Sequence, residues 1–327
     1  MTWSGKKVLV TGAGGFIGSH LTEALVTAGA QVRAMVHYNS AGRRGWLDQS
    51  PLKNDMEIVA GDITDGGSVS AAMQGRDVVF HLAALIAIPY SYSAPLSYVQ
   101  TNIVGTLNVL EAARRLGTSR VIQTSTSEVY GTAQFVPISE THPLQGQSPY
   151  SASKIGADKL AESYFRSFDL PVVTVRPFNT YGPRQSARAV LPTIITQCLA
   201  GKTVRLGSLT PTRDLNFVSD TAAGFMACAA HPDAVGRTLN IGSGREISVG
   251  DLAQLTASLI GADVRIECED QRLRPPGSEV ERLLADNRLA AEVVGWKPAV
   301  SLETGLQRTI DWFRENAGSY RADVYNV

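Results

Sequence analysis

Neither sign of charge is in excess in this chain: 30 Lys and Arg balance 30 Asp and Glu, for a formal net charge of zero. That removes the basic footprint expected of a nucleic-acid or membrane-surface binder. Cysteine is scarce. Cys198, Cys228 and Cys268 have no metal-ligand spacing, and an odd, scattered set suits the reducing cytoplasm. Each reads as a small buried apolar side chain rather than a ligand or nucleophile. No apolar run reaches the length of a membrane span, and Met1–Lys7 leads toward a strand without a signal-peptide pattern, so a cytoplasmic protein is expected. Low-complexity tracts and internal repeats are absent. What remains is ordinary globular composition, 44% hydrophobic and 18% charged over 327 residues. That is length for about two domain-sized units and a large core.

Among what is present, glycine comes first. Val8–Val10 is a short apolar strand running into Thr11-Gly12-Ala13-Gly14-Gly15-Phe16-Ile17-Gly18, with a helix predicted over Ser19–Ala28. Gly12, Gly15 and Gly18 permit a tight turn and bring backbone N–H groups and a helix N-terminus to a pyrophosphate. A lone glycine pattern also makes ordinary turns; strand, glycines and helix in this order point to a dinucleotide. The second strand, Gln31–Val36, ends without the acid that takes an NAD ribose. His37, Ser40, Arg43 and Arg44 stand there instead. They would hold a 2′-phosphate, which tilts the cofactor to NADP, or they are solvated loop charges. After a third strand, Glu57–Val59, Asp62 and Ile63 are placed for an adenine, or Asp62 caps the helix predicted over Ser68–Met73. Asp77–Ala84 reads as a fourth strand whose Leu82, Ala83 and Ala84 let backbone approach the cofactor; His81 within it reads as structural. Pro95–Leu116 is predicted as one long amphipathic helix, with Asn102 counted in the cofactor-binding set.

A fifth strand, Arg120–Thr124, leads into Ser125-Thr126-Ser127-Glu128-Val129-Tyr130. Ser148-Pro149 then opens a helix predicted over Tyr150–Phe168. Tyr150 and Lys154 are i and i+4 and share a face. An ammonium there would lower the phenol from its ordinary value near 10, making it a base toward a hydroxyl, with Thr126 sharing the hydrogen bond. The other reading of Tyr and Lys at that spacing is a surface pair. Strands alternating with helices predict an α/β, Rossmann-type doubly wound parallel sheet, with ligands beyond the strand carboxyl ends. Past the sixth strand, Val172–Val175, comes Arg176-Pro177-Phe178-Asn179-Thr180-Tyr181-Gly182-Pro183-Arg184, and the pattern loosens. Arg184, Arg188, Arg213 and Arg274 fall in loops or at element ends, where guanidinium forks suit a diphosphate or form a scattered surface set.

Together these motifs resemble the extended short-chain dehydrogenase/reductase superfamily, the NAD(P)-dependent nucleotide-sugar epimerases and dehydratases. The resemblance rests on residues 11–18, His-Leu-Ala-Ala at 81–84, Tyr150 and Lys154, 176–179, 181–183 and 213–214, and it covers essentially the whole chain. It implies a Rossmann part (1–176 plus about 214–247) and a smaller substrate-binding part (177–213 plus 248–327). It implies Thr126, Tyr150 and Lys154 as the catalytic set, with Asn179, Arg184, Arg213 and Arg274 toward the substrate. It also implies a tightly bound, regenerated NAD(P)+ and a homodimer formed by two helices from each subunit. Thr126-Ser127-Glu128 is similar to GDP-mannose 4,6-dehydratases and UDP-glucuronate decarboxylases. Arg274-Pro275 with Glu279–Asn287, and Gln145–Tyr150, look like the first of these and like legionaminic-acid-pathway dehydratases acting on a GDP-linked N-acetylglucosamine. The expected activity is 4,6-dehydration, with Glu128 as base at C5. Ser127 stands where glucose-type dehydratases have Asp, leaving Glu128 or a water near Ser127 to protonate the departing hydroxyl. Decarboxylation of a uronate, C4 epimerisation and a cofactor-binding sensor are the rival readings.

Overall fold

The structure, a computed structural model, describes residues 2–201 and 203–320, so the end of the expected substrate-binding part, 321–327, lies outside the described residues. The chain runs β1 (Lys7–Thr11), α1 (Phe16–Thr27), β2 (Gln31–His37), β3 (Glu57–Gly61), α2 (Gly66–Met73), β4 (Val78–His81), α3 (Ile88–Ser93) and α4 (Pro95–Tyr98). A π-helical turn, Val99–Val104, joins α4 to α5 (Gly105–Leu116); β5 (Arg120–Thr124), α6 (Pro149–Phe168) and β6 (Val172–Pro177) follow. Then come β7 (Asn179–Tyr181), α7 (Val190–Ala200), β8 (Thr203–Leu206), β9 (Thr212–Phe217), α8 (Val218–Ala230), β10 (Thr238–Ile241), β11 (Glu246–Ser248), α9 (Val249–Ile260), β12 (Arg265–Cys268), α10 (Arg288–Val294) and α11 (Leu302–Glu315).

The large sheet is parallel, in the order β10-β6-β5-β4-β1-β2-β3. It is the doubly wound Rossmann arrangement, and its order reverses between β1 and β4. Strand alternation decides what packs where. Val8, Val10, Phe80, Ile122 and Val175 face Leu21, Leu25 and Phe225 on one side. Leu9, Val79 and Val121 face Val69, Leu110 and Ala161 on the other. A separate cluster, with Leu191, Ile195, Phe217, Leu252, Leu306 and Phe313, fills the later half of the chain around the sheet β11-β9-β7.

Two stretches pack otherwise than the linear division drawn from the sequence. β9 pairs in the small sheet with β7 and β11. Ala290 and Trp296 return to the large sheet's core. Between them, residues 280–286 thread past the segment after β5: Ile138 N donates to Leu284 O at 2.7 Å, and Asp286 N to Ile138 O at 2.9 Å. Asp214, fully buried on β9, holds this crossing. It accepts from Ser243 N (2.7 Å), Ser243 Oγ (2.7 Å), Gly244 N (2.9 Å) and Ala285 N (3.0 Å). Asp214→Ala leaves those donors without an acceptor, and we expect a loss of about 3 kcal/mol in chemical denaturation. A loss below about 1 kcal/mol would show that the crossing holds without it.

Local chemistry sets α6. Ser148 Oγ accepts from Ser151 N and Ser151 Oγ accepts from Ser148 N, a capping box with Pro149 at the first helical position. Cys198 and Cys228 are buried, whereas Cys268, expected inside, is exposed on edge strand β12. Among the described residues no helix is long and apolar enough to cross a membrane.

Candidate active site

The glycine loop sits where the strand order reverses. Gly12 has φ of +69°, and a Cβ there would lie 2.7 Å from Ala83 N. A Cβ on Gly18 would lie 2.1 Å from the Gly12 carbonyl. So Gly12 lets the turn meet the end of β4, and Gly18 lets α1 close against the turn. Gly15 is the extended N-cap of α1, which leaves the helix's first N–H groups facing the crevice.

β4 is shorter than predicted because residues 82–84 leave the sheet. Thr11 Oγ1 accepts from Leu82 N and Ala83 N, both at 3.1 Å. Its own proton therefore goes to His81 Nδ1 at 2.9 Å. The imidazole carries its proton on Nε2 and donates to Thr106 Oγ1 at 3.2 Å; Thr106 donates to the Asn102 carbonyl at 2.7 Å. Burial pushes His81 down to about 3, so it is neutral and structural. Asn102 belongs to the π turn that interrupts the helix predicted over 95–116. The wider turn aims its amide at the loop after β4: it accepts from Leu85 N and donates to Leu85 O and Ser153 Oγ, each at 2.9 Å.

At the β2 end, His37 Nε2 lies 3.5 Å from Asp62 Oδ2. Asp62 accepts from Thr64 N and Thr64 Oγ1 at 2.8 Å, and the cap of α2 is Asp65 rather than Asp62. Ile63 is buried against Gly105. Arg43 and Arg44 are exposed on the loop that follows, and a Cβ on Gly14 would lie 2.5 Å from the Arg44 carbonyl.

The reactive cluster lies between β5 and α6. Thr126 caps the short turn Ser127–Tyr130, accepting from Glu128 N at 3.2 Å. Its hydroxyl faces the Tyr150 phenol closely enough to favour the ionised form. Tyr150 is 7% exposed and meets the Tyr98 ring edge-on at 6.3 Å. Burial raises the phenol above its ordinary value; the Thr126 hydroxyl opposes this, and the Glu128 charge adds to it. This corrects the expectation that Lys154 lowers it. Lys154 Nζ donates instead to the Thr124 carbonyl at 2.6 Å, and its own burial lowers it to about 8. Ser127 is buried beside Glu128.

Glu128 opens onto a cleft of about 260 Å³, lined also by Asn179, Arg188, Arg213, Arg274 and Glu279. Arg213 Nη2 lies 3.1 Å and Arg274 Nη1 3.6 Å from Glu279 Oε1, so one carboxylate spaces two guanidiniums on the wall. Asn179 Oδ1 is buried there without a partner. Arg184, expected at the substrate, is elsewhere. Its guanidinium pairs with both Glu23 carboxylate oxygens at 3.0 Å and with Ser19 Oγ at 3.2 Å, pinning its loop to α1. Glu279 was not singled out from sequence, although Arg274 through Glu279 carried the signal. The arrangement puts a phenol, an ammonium and a hydroxyl at the crevice, with a carboxylate and a cationic wall in front of them.

A profile described as GDP-mannose 4,6 dehydratase matches residues 9–309. The chain belongs to this family. It is one of the extended short-chain dehydrogenase/reductases, the nucleotide-sugar dehydratases and epimerases. A Mycolicibacterium smegmatis protein named UDP-glucose 4-epimerase is 35% identical over 317 residues, covering 95% of this chain and 99% of that one. An Actinoplanes protein named dTDP-glucose 4,6-dehydratase is 34% identical, covering 95% and 98%. Among solved structures, a double mutant of a dTDP-glucose 4,6-dehydratase from Streptomyces venezuelae, with NAD bound, superposes with a TM-score of 0.88 at 31% identity, covering 96% and 98%. The family resemblance drawn from the motifs is thus met along the whole fold.

Proposed function

We propose that this enzyme is a nucleotide-sugar 4,6-dehydratase. The observation that carries the reading is Glu128: its carboxylate lines the sugar cleft and stands close enough to Tyr150 to act on the phenol. The cofactor is NAD(P)+, held by Gly12, Gly15, Phe16, Ile17, Leu82, Ala83 and Ala84 around the crevice, with Asn102, Tyr150 and Lys154. The Gly12 approach to Ala83, which any Cβ would block, fits that use. Asp62 and Ile63 take the adenosine end. His37 with the exposed Arg43 and Arg44 favours a 2′-phosphate, hence NADP. When bound, the nicotinamide would supply hydride-transfer chemistry, as acceptor from C4 and donor to C6.

The chain's own residues handle protons and position. Tyr150, facing Thr126, takes the proton from O4. The resulting ketone acidifies C5, and Glu128 removes that proton. The C6–O bond then breaks, and the proton held by Glu128 leaves with the hydroxyl as water; as C6 is reduced, C5 takes a proton from solvent through Glu128, and Tyr150 releases the O4 proton to solvent. Asn179, Arg213 and Arg274 hold the nucleoside diphosphate, so that C4, C5 and C6 stay in reach of the reacting groups. The substrate is an NDP-hexose or NDP-N-acetylhexosamine, GDP-N-acetylglucosamine among them. The division into a cofactor part and a nucleotide-sugar part belongs to the same proposal. So does a cytoplasmic homodimer, whose second copy covers the exposed Ile86, Tyr90, Leu96, Val99 and Val104.

The test is incubation of the purified protein with GDP-, UDP-, dTDP- and CDP-sugars, read by mass spectrometry. Loss of one water from a hexose or N-acetylhexosamine donor is the expected result. Loss of CO2 from UDP-glucuronate, or an unchanged mass with a new sugar retention time, would replace the reading with decarboxylation or epimerisation.

A further inference from the structure

Asp158 lies one helical turn beyond Lys154 and two beyond Tyr150, so all three share one face of α6. Its side chain is 4% exposed. Oδ2 accepts from Ser125 Oγ at 2.8 Å, Arg176 Nε at 3.2 Å and Arg176 Nη2 at 3.0 Å. Oδ1 is buried with no partner. Arg176 is held in turn by Tyr130, whose hydroxyl accepts from Nη1 at 2.9 Å and donates to Asn240 at 2.7 Å. The carboxylate is therefore fixed from the turn after β5 and from Arg176 on β6, which Tyr130 ties to Asn240 on β10. A buried ion pair of this kind is a poor device for stability, because desolvating both charges offsets most of their attraction. Its place behind Lys154 gives it another use.

Lys154 is 4% exposed and donates one of its three protons, to the Thr124 carbonyl. The titratable groups around it are Asp158 and Tyr150 on its own helix, neutral His81 on β4, and Arg176 on β6, which is bonded to Asp158. Glu128, on the turn after β5, and Tyr98 reach it only through Tyr150. Among these, Asp158 is the anion that acts on the ammonium directly.

We propose that Asp158 is a positioning residue for the Tyr150–Lys154 pair: its carboxylate is the fixed counter-charge that keeps the Lys154 ammonium protonated and seated on the Thr124 carbonyl. Burial alone drives Lys154 toward its neutral amine, and Asp158 opposes that. The sign follows. Removing the Asp158 charge lowers the lysine's titration, so the alkaline limb of turnover moves to lower pH. The inference rests on the proposed reaction only where turnover is the readout.

The experiment uses full-length Asp158→Asn. Lys154 13Cε is followed by NMR in lysine-labelled protein, assigned with Lys154→Arg, and kcat and KM are measured between about pH 6 and pH 9 on the sugar that the panel identifies. The lysine should titrate about one pH unit lower. kcat near pH 8 should fall about fivefold relative to wild type and approach the wild-type value toward pH 6, with KM unchanged and Asp158→Glu restoring the profile. If Asp158→Asn does not fold, Asp158→Asn/Arg176→Met removes the pair without stranding the guanidinium and should move the lysine in the same direction. A lysine titration that stays in place, or a kcat lowered equally at every pH, overturns the proposal. Wild-type protein that turns over no nucleotide sugar would sink the dehydratase reading instead, and the lysine titration alone would then decide this one.

Discussion

Tyr150→Phe should lower nucleotide-sugar turnover about a thousandfold, the scale of a lost general base. The change removes one oxygen and leaves the ring packed on Tyr98. The capping box at Ser148 and Ser151 that starts α6 is untouched, so the helix and Lys154 stay in place. Thr126 keeps its bond to Glu128 N, so little stability should be lost. The loss should fall on kcat, with KM and cofactor affinity near wild type. The pH dependence has a defined sign. Burial holds the phenol above its ordinary value, so the neutral phenol dominates at pH 7 and wild-type turnover should climb as pH rises until Lys154, lowered to about 8, begins to lose its proton. Steady-state kinetics across that range, with an unfolding curve as control, make the measurement. A variant keeping more than about a tenth of wild-type activity would remove Tyr150 from the reaction.

Glu128→Gln should separate the two halves of the chemistry. Oxidation at C4 persists, because Tyr150, Thr126 and Lys154 are intact. Loss of water falls at least about a hundredfold, because nothing takes the C5 proton. Exchange of the C5 hydrogen with deuterated solvent should stop with it, and reduced nicotinamide should build up as an absorbance the wild type does not show. A second consequence is electrostatic. The Glu128 charge raises the Tyr150 phenol; the neutral amide removes that push, so C4 oxidation in the variant should reach its plateau at lower pH than in wild type. If the keto-deoxy product still forms at near wild-type rate, Glu128 is not the C5 base.

Much of this was legible in the sequence, for identifiable reasons. Buried parallel strands read as short apolar runs, and β1, β2, β5 and β10 lie within a residue or so of their expected limits. Glycines show a turn because only they tolerate its geometry, as Gly12 does at φ of +69°. Contacts between segments distant in the chain were not legible. Arg184 looks like a phosphate ligand until Glu23, far upstream, occupies it. The π turn at 99–104 is invisible to periodicity because it exists to bring Asn102 to Leu85. The expected lowering of Tyr150 failed because helical spacing gives proximity but not burial. Asp158 was legible in part: the i, i+4, i+8 face was there to read, and only the bonds to Ser125 and Arg176 gave it meaning.

The crossing at residues 280–286 bears on how such chains can be recombined. Ala290 and Trp296 complete a core that begins with Val8, so the last third of the molecule is a lender to the first as well as the holder of its own cleft. A chimera cut once, after β6, would exchange the sugar wall but also replace the residues closing the host's sheet and the partners of Ile138 and Asp214. Grafts that keep the host's 280–296 while exchanging 177–213 and 249–279 respect the wiring. On the proposed reading, substrate preference would be exchanged by internal cassette rather than by tail.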